Sequence, residues 1–117
     1  MARFDLNQYF LTAYIADVSS AGQIYVVAPD GGRIVKAYSA LNGAIGTADV
    51  DLTLKIGGTA VTDGVITIAT ASSAAGDVDS CTPTAANNVT AGQAIEIETD
   101  GASTNTVAVM VTLIIER

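Results

Sequence analysis

The 117-residue chain contains no histidine, no tryptophan and a single cysteine, Cys81. Without histidine it lacks the commonest general base, every Ser–His or Cys–His nucleophile pair and the most versatile metal ligand. One cysteine forms no intrachain disulfide and cannot build a structural zinc site. No basic neighbour is at hand to lower the Cys81 pKa, so it reads as a small, semi-buried loop residue. Closely spaced carboxylates remain at Asp49/Asp51, Asp77/Asp79 and Glu96/Glu98. On strands such pairs project side by side from one face, and no ring stands near them to line the sugar cleft of a glycosidase. The sequence therefore reads as that of a protein that is not an enzyme, with no cofactor expected.

Positive charge is scarce as well. Five basic residues face twelve acidic ones, for a net charge of −7. Arg3, Arg33, Lys36, Lys55 and Arg117 are scattered, which excludes the concentrated basic footprint that nucleic acid requires. The same balance argues against an anionic membrane surface. No apolar run reaches membrane-spanning length, and the N-terminal MARFDLNQYF lacks the apolar core of a secretory signal. Synthesis in a cytoplasm without export by the usual route is the expectation. The oxygen-rich run Asp77-Val78-Asp79-Ser80 is the best cation candidate, with Asp77 and Asp79 as ligands. It lacks the spacing of an EF-hand or a β-roll and reads as a solvated turn. The sequon Asn88-Val89-Thr90 is, without an export signal, a coincidence.

Aromatic residues number six, all in the first third: Phe4, Tyr9, Phe10, Tyr14, Tyr25 and Tyr38. From Ser39 onward the core must be aliphatic, and each such side chain buries less area than a ring. A thin core of this kind is commonly reinforced by oligomerisation.

What the chain does have is short β-rich runs broken by Gly, Asp, Asn, Ser and Pro. Strands are expected at 9–17, 23–28 and 33–41, with Pro29-Asp30-Gly31-Gly32 turning the last two into a hairpin. Residues 50–56 alternate with a period of two: Val50, Leu52, Leu54 and Ile56 inward, Asp51, Thr53 and Lys55 outward. After Gly57-Gly58 come a stub at 59–61, a second hairpin signal at Asp63-Gly64, and a strand at 65–70. Residues 71–92 are irregular, with an extended edge strand expected near 78–82. Residues 93–99 alternate again, with Glu96 and Glu98 outward and in need of solvent or cations. The last run, 105–116, is apolar on both faces. Val107, Val109, Val111, Leu113 and Ile115 share one; Ala108, Met110 and Ile114 occupy much of the other. Such a strand is central in its sheet or covered by another subunit. The whole reads as an all-β, antiparallel β-sandwich, jelly-roll-like, of about seven to eight strands over residues 9–117, preceded by an arm at 1–8.

The run Ala28-Pro29-Asp30-Gly31-Gly32-Arg33-Ile34-Val35-Lys36 echoes a turn of biotinyl and lipoyl carrier domains, but no modifiable lysine hairpin follows it. A broader likeness covers Ile15 to Pro29, the DLTLKIGGTAV of 51–61 and the GDVDSCTPTAANNVTAGQAIEIETDG of 76–101. In these stretches, and in its low-aromatic Ala/Gly/Thr/Val composition, the chain resembles the small head decoration (cement) proteins of tailed bacteriophages. The resemblance implies a jelly-roll-like sandwich, commonly a homotrimer, bound to the major capsid protein on the virion surface. Phe4, Tyr9 and Phe10 would then be capsid-contact anchors, and Ala108, Met110 and Ile114 an oligomer interface. The alternative is a carbohydrate- or receptor-binding sandwich of a head or tail fibre, which the absence of Trp disfavours.

Overall fold

Period-two alternation of Val, Ile and Leu with polar residues dictates half-buried strands, and the described residues hold strands, turns and loops without a helix. The structure is a computed structural model, and it describes residues 7–117. Nine strands follow in order: β1 (Gln8–Ile15), β2 (Gly22–Val27), β3 (Gly32–Leu41), β4 (Val50–Ile56), β5 (Thr59–Ile68), β6 (Val78–Cys81), β7 (Asn88–Val89), β8 (Ala94–Thr99) and β9 (Val109–Glu116). They form two antiparallel sheets. The first has the order β1-β9-β3-β6, with the two-residue β7 also on β3; the second has the order β2-β8-β4-β5. The expected all-β sandwich is thus present.

Its core lies between the sheets and is aliphatic. Ile34, Leu52, Leu54, Ile66, Ile95, Val109, Val111, Leu113 and Ile115 are fully buried, and no aromatic ring is among the buried residues described. Each such Val, Leu or Ile contributes roughly 1.5–3 kcal/mol on burial. The alternation of β4 and β8 matches the expected faces, and the outward Glu98 meets its cation in Lys55 at 3.2 Å. The expected edge strand in the irregular stretch is β6, paired with β3 from Ala37↔Cys81 to Ala40↔Val78.

Three sequence expectations require correction. First, Pro29-Asp30-Gly31-Gly32 does not close a hairpin, because β2 pairs with β8 in the second sheet and β3 with β9 in the first. The turn residues specify a bend, while partner choice is set by which strands bury their faces together. The crossing is pinned by Tyr9, whose hydroxyl donates to the Asp30 carbonyl at 2.5 Å, and by an Arg117–Asp30 ion pair at 3.0 Å. Second, Asp63-Gly64 is not a hairpin turn. Gly57-Gly58, at φ 59° and 80°, closes the β4–β5 hairpin with Ile56 opposite Thr59. Positive φ at both central residues is the requirement of a type I′ two-residue hairpin turn. Asp63, at φ 58°, sits instead in a bulge that shifts the β4–β5 register between Thr53 and Lys55. Third, β9 starts at Val109 rather than near 105, because the preceding segment bonds to loops. Asn105 Nδ2 donates to the Ala44 carbonyl at 3.0 Å, and the Val107 carbonyl accepts from the Val18 N–H at 3.0 Å.

At the other terminus, Gln8 is the first residue of β1, opposite Glu116, and the Asn7 carbonyl accepts the Arg117 N–H at 2.7 Å. Gln8, the last residue of the expected arm, is therefore part of the first sheet, with Asn7 bonded just beyond its end. The remainder of the arm, Phe4 included, lies outside the described residues.

Gly32 has a φ of 151°, and a Cβ there would lie 2.6 Å from the Glu116 carbonyl oxygen. Both the backbone conformation and the close approach select glycine. Gly32→Ala should destabilise the fold by about 1–3 kcal/mol, the scale of a strained φ/ψ pair. Denaturant unfolding measures it, and an unchanged midpoint would contradict the close approach.

Candidate functional site

The β1–β9–β3 register places the residues of the outer face in rows across the first sheet. Because Val109, Val111, Leu113 and Ile115 of β9 point into the core, its even-numbered residues point out. Tyr14, Met110, Ala40 and Val78 lie side by side in successive strands. The next row is Thr12, Thr112, Tyr38 and Ser80, and the next is Phe10, Ile114 and Lys36. A fourth row, Gln8, Glu116 and Arg33, is charged, with Arg33 and Glu116 at 3.0 Å. The face thus grades from apolar and aromatic at the Met110 row to ionic at the Glu116 row.

Its large side chains are open to solvent: Tyr14 is 55% exposed, Phe10 54%, Tyr38 39%, Met110 38% and Val78 64%. Ile114, Ala40 and Ala108 are half-buried. Aromatic and aliphatic groups contiguous over several strands mark an interaction surface rather than scattered surface hydrophobes. Lys36 frames one side, donating to Thr82 Oγ1 at 2.9 Å, with its ammonium 5.7 Å from the centre of the Tyr38 ring. The first three rows contain no carboxylate, although the chain as a whole is strongly acidic.

Two groups of residues that the sequence treated separately thus meet on one face. Phe10, expected in the capsid-contact set, is opposite Ile114 of the expected oligomer set, and Met110 lies two rows away, beyond Thr12 and Thr112. Ala108 precedes β9, where its carbonyl accepts the Asn42 N–H at 3.0 Å. Tyr9 turns the other way. It packs against the core with the Arg117 guanidinium 5.4 Å from its ring centre, and burial and the Asp30 carboxylate push its phenol upward in pKa. Its role is to tie β1 to the β2–β3 crossing. Tyr14, Tyr38 and Val78 were missing from the sequence reading as surface residues, although Tyr14 and Phe10, four apart on one strand, carried the signal in their shared parity.

The weak cation candidates are separated in function. Asp77 caps a turn, its carboxylate accepting the Ala74 N–H at 2.9 Å, and Asp79 lies on β6 opposite Ser39. Burial, then the nearby Asp77 charge, raises the Asp79 pKa. Among the described residues no group of three or more His, Cys, Asp or Glu side chains could hold a metal ion.

With the geometry in hand, comparison shows a likeness of fold. No protein-family profile matches the chain, and no curated protein sequence matches it. The chain is similar in structure to a chain of the acidic stable capsid of Helicobacter pylori bacteriophage KHP30, with a TM-score of 0.58 and 16% identity over 94% of this chain and 87% of that one. It is also similar to CsCBM6-3 of Clostridium stercorarium, solved in complex with cellobiose, with a TM-score of 0.52 and 13% identity over 97% of this chain and 86% of the other. At such identities the fold alone is shared.

Cys81 is buried, and desolvation pushes its thiol up to about 11, with Lys36 pulling weakly the other way. A thiol with a raised pKa is stabilising while it stays protonated. Its contribution is therefore complete below the unfolded-state value and lost as pH rises towards about 11. At pH 8 the native protein should leave a thiol reagent such as DTNB unreacted over minutes and react fully in denaturant. Rapid reaction in the native state would overturn the burial argument.

Proposed function

We propose that the chain is a structural virion protein that decorates the outside of a phage capsid, bound through the outer face of the first sheet. The observation that carries this reading is the three carboxylate-free rows built from Phe10, Tyr14, Tyr38, Val78, Met110 and Ile114. We read the strand order, β1-β9-β3-β6 facing β2-β8-β4-β5 with β7 set aside, as that of a jelly roll, an architecture used by capsid and lectin domains. The fold likeness to a phage capsid chain favours the same reading.

The physical mechanism is mass action. A small domain that contacts two or more major capsid protein subunits binds only the assembled lattice with full affinity, so its binding stabilises the shell. Exposed rings on a rigid sheet lose little conformational freedom on docking, which suits them as anchors. Self-association into a homotrimer belongs to the same proposal, and so does a role without catalysis.

The second reading, sugar binding, rests on the fold likeness to a cellobiose complex and on the same exposed tyrosines. One set of variants separates the two. Met110→Glu and Tyr14→Glu should each weaken co-sedimentation with heads of the encoding phage at least tenfold. Both positions are solvent-exposed, so the stability change should stay within about 0.5 kcal/mol. Undiminished head binding would remove this face from the capsid reading. Cellobiose titration that shifts the Tyr14 and Tyr38 ring resonances would favour the sugar reading. Sedimentation as a monomer at all concentrations would remove the trimer.

A further inference from the structure

Sheet edges are dangerous because unpaired N–H and C=O groups recruit foreign strands, and proteins blunt them with charge, bulges, short strands or covering loops. The edges on one side of this sandwich are blunted in these ways. β5 carries the Asp63–Gly64 bulge, and its open side is bonded to the 84–85 segment: Thr62 N–H to the Ala85 carbonyl at 2.9 Å and Thr84 N–H to the Thr62 carbonyl at 3.1 Å. β6 is four residues long and includes Asp79.

β2, the other edge of the second sheet, has no such protection. It spans six uncharged residues, Gly22–Val27, pairs only with β8 among the described residues, and has an unbroken register from Gly22↔Thr99 to Val27↔Ala94. The Ala28 N–H bonds the Gln93 carbonyl at 2.9 Å at the end of this ladder. Counting back by the two-residue alternation of antiparallel bonding, the backbone groups of Gln23, Tyr25 and Val27 point away from β8. At the Gly22–Ile24 end of this edge lies a groove of about 200 Å³ between the sheets, lined by the buried Ile15 and Ile97, by Ile24 and Thr99, and by the more exposed Asp17 and Gln23. On the outer side Tyr25 is 61% exposed and stands opposite Glu96, with Gln23 opposite Glu98.

We infer that β2 is an acceptor edge for an extended strand of a partner protein that alternates aliphatic with basic residues. The partner's main chain would pair with Gln23, Tyr25 and Val27. Its aliphatic side chain at one end would enter the Ile15–Ile24–Ile97 groove, and its Lys or Arg side chains would lie over the Tyr25 ring within reach of Glu96. Each part answers a feature present here: open donors and acceptors, an apolar slot at one end of the edge, and an aromatic face backed by a carboxylate. Lys55 is already engaged by Glu98, so Glu96 is the carboxylate left to receive an incoming cation. This surface lies on the opposite sheet from the decorating face, so the two proposals fail independently.

The probe is the blocked hexapeptide acetyl-Lys-Val-Lys-Val-Lys-Val-amide, titrated into the intact protein with amide chemical shifts and hydrogen exchange as readouts. Saturable shifts confined to β2 and the groove, with slowed exchange at Gln23, Tyr25 and Val27, are expected. The Glu-for-Lys peptide should bind at least tenfold more weakly. Val27→Pro removes an outward N–H at an edge position that tolerates proline, and should also weaken binding at least tenfold. Tyr25→Ala should weaken it several-fold. Should Val27→Pro perturb the fold, the same peptide N-methylated at alternate residues asks the question of the unaltered protein. No binding, equal binding of the acidic or N-methylated peptide, or shifts centred on Tyr14 and Met110 would each overturn the inference.

Discussion

The structure depends on β9. It is paired along its whole length on both sides, with β1 from Gln8↔Glu116 to Ile15↔Val109 and with β3 from Arg33↔Glu116 to Leu41↔Val109. Its four odd-numbered aliphatics are sealed in the core. A strand's side-chain period is two, so sealing those four fixes the outward set as Met110, Thr112, Ile114 and Glu116, whatever their polarity. Slipping the register by one residue would hide Met110 and Ile114 but expose Val109, Val111, Leu113 and Ile115. The surface that most suggests a function is thus a direct consequence of the core. Fold and interface are set by one register.

That consequence was legible in the sequence up to a point. The apolar second face of residues 107–115 was visible as a pattern, and so were the inward sets of β4 and β8. The neighbours that complete the face were not. Phe10 and Tyr14 belong to it because β1 pairs with β9, and Tyr38 and Val78 because β3 and β6 lie beyond; no local pattern encodes pairings as distant in sequence as Ala40 with Val78 or Gln8 with Glu116. Tyr9 shows the limit from the other side. As one of three early aromatics it looked like an anchor, yet one step of the pleat turns it inward onto the core and the Asp30 turn.

The turns show the same division between local and global information. Gly57-Gly58 and Asp63-Gly64 are both acceptable hairpin signals, and the choice between them is made by register. β4 continues to Ile56, so the hairpin closes at the glycine pair, and the later Asp-Gly lies in the irregular stretch where residues 61–64 of β5 stand against Leu54 alone. In Pro29-Asp30-Gly31-Gly32 the bend is encoded faithfully, but its destination is the other sheet. A hairpin there would have put β2 beside β3, and the ladder positions flanking β3 are already taken by β9, β6 and β7.

Charge then sorts the surfaces that the strands create. Arg33 is paired with Glu116, Lys55 with Glu98 and Arg117 with Asp30, while Lys36 is held by Thr82 and lies near the Tyr38 ring. Exposed pairs of this kind add only about 0–1 kcal/mol each, so stability is not what they chiefly provide. What they do is use up the described cations and leave an acidic excess over loops, turns and the second sheet. An acidic excess of this size repels other copies wherever it is exposed. The carboxylate-free rows of the first sheet are where that repulsion is weakest and apolar area is greatest, so close contact with a neighbour is least opposed there. On the second sheet, where Glu96 and Glu98 stand beside an uncharged edge, the same excess favours a basic strand over a second copy of this chain. The two surfaces are thus suited to different partners.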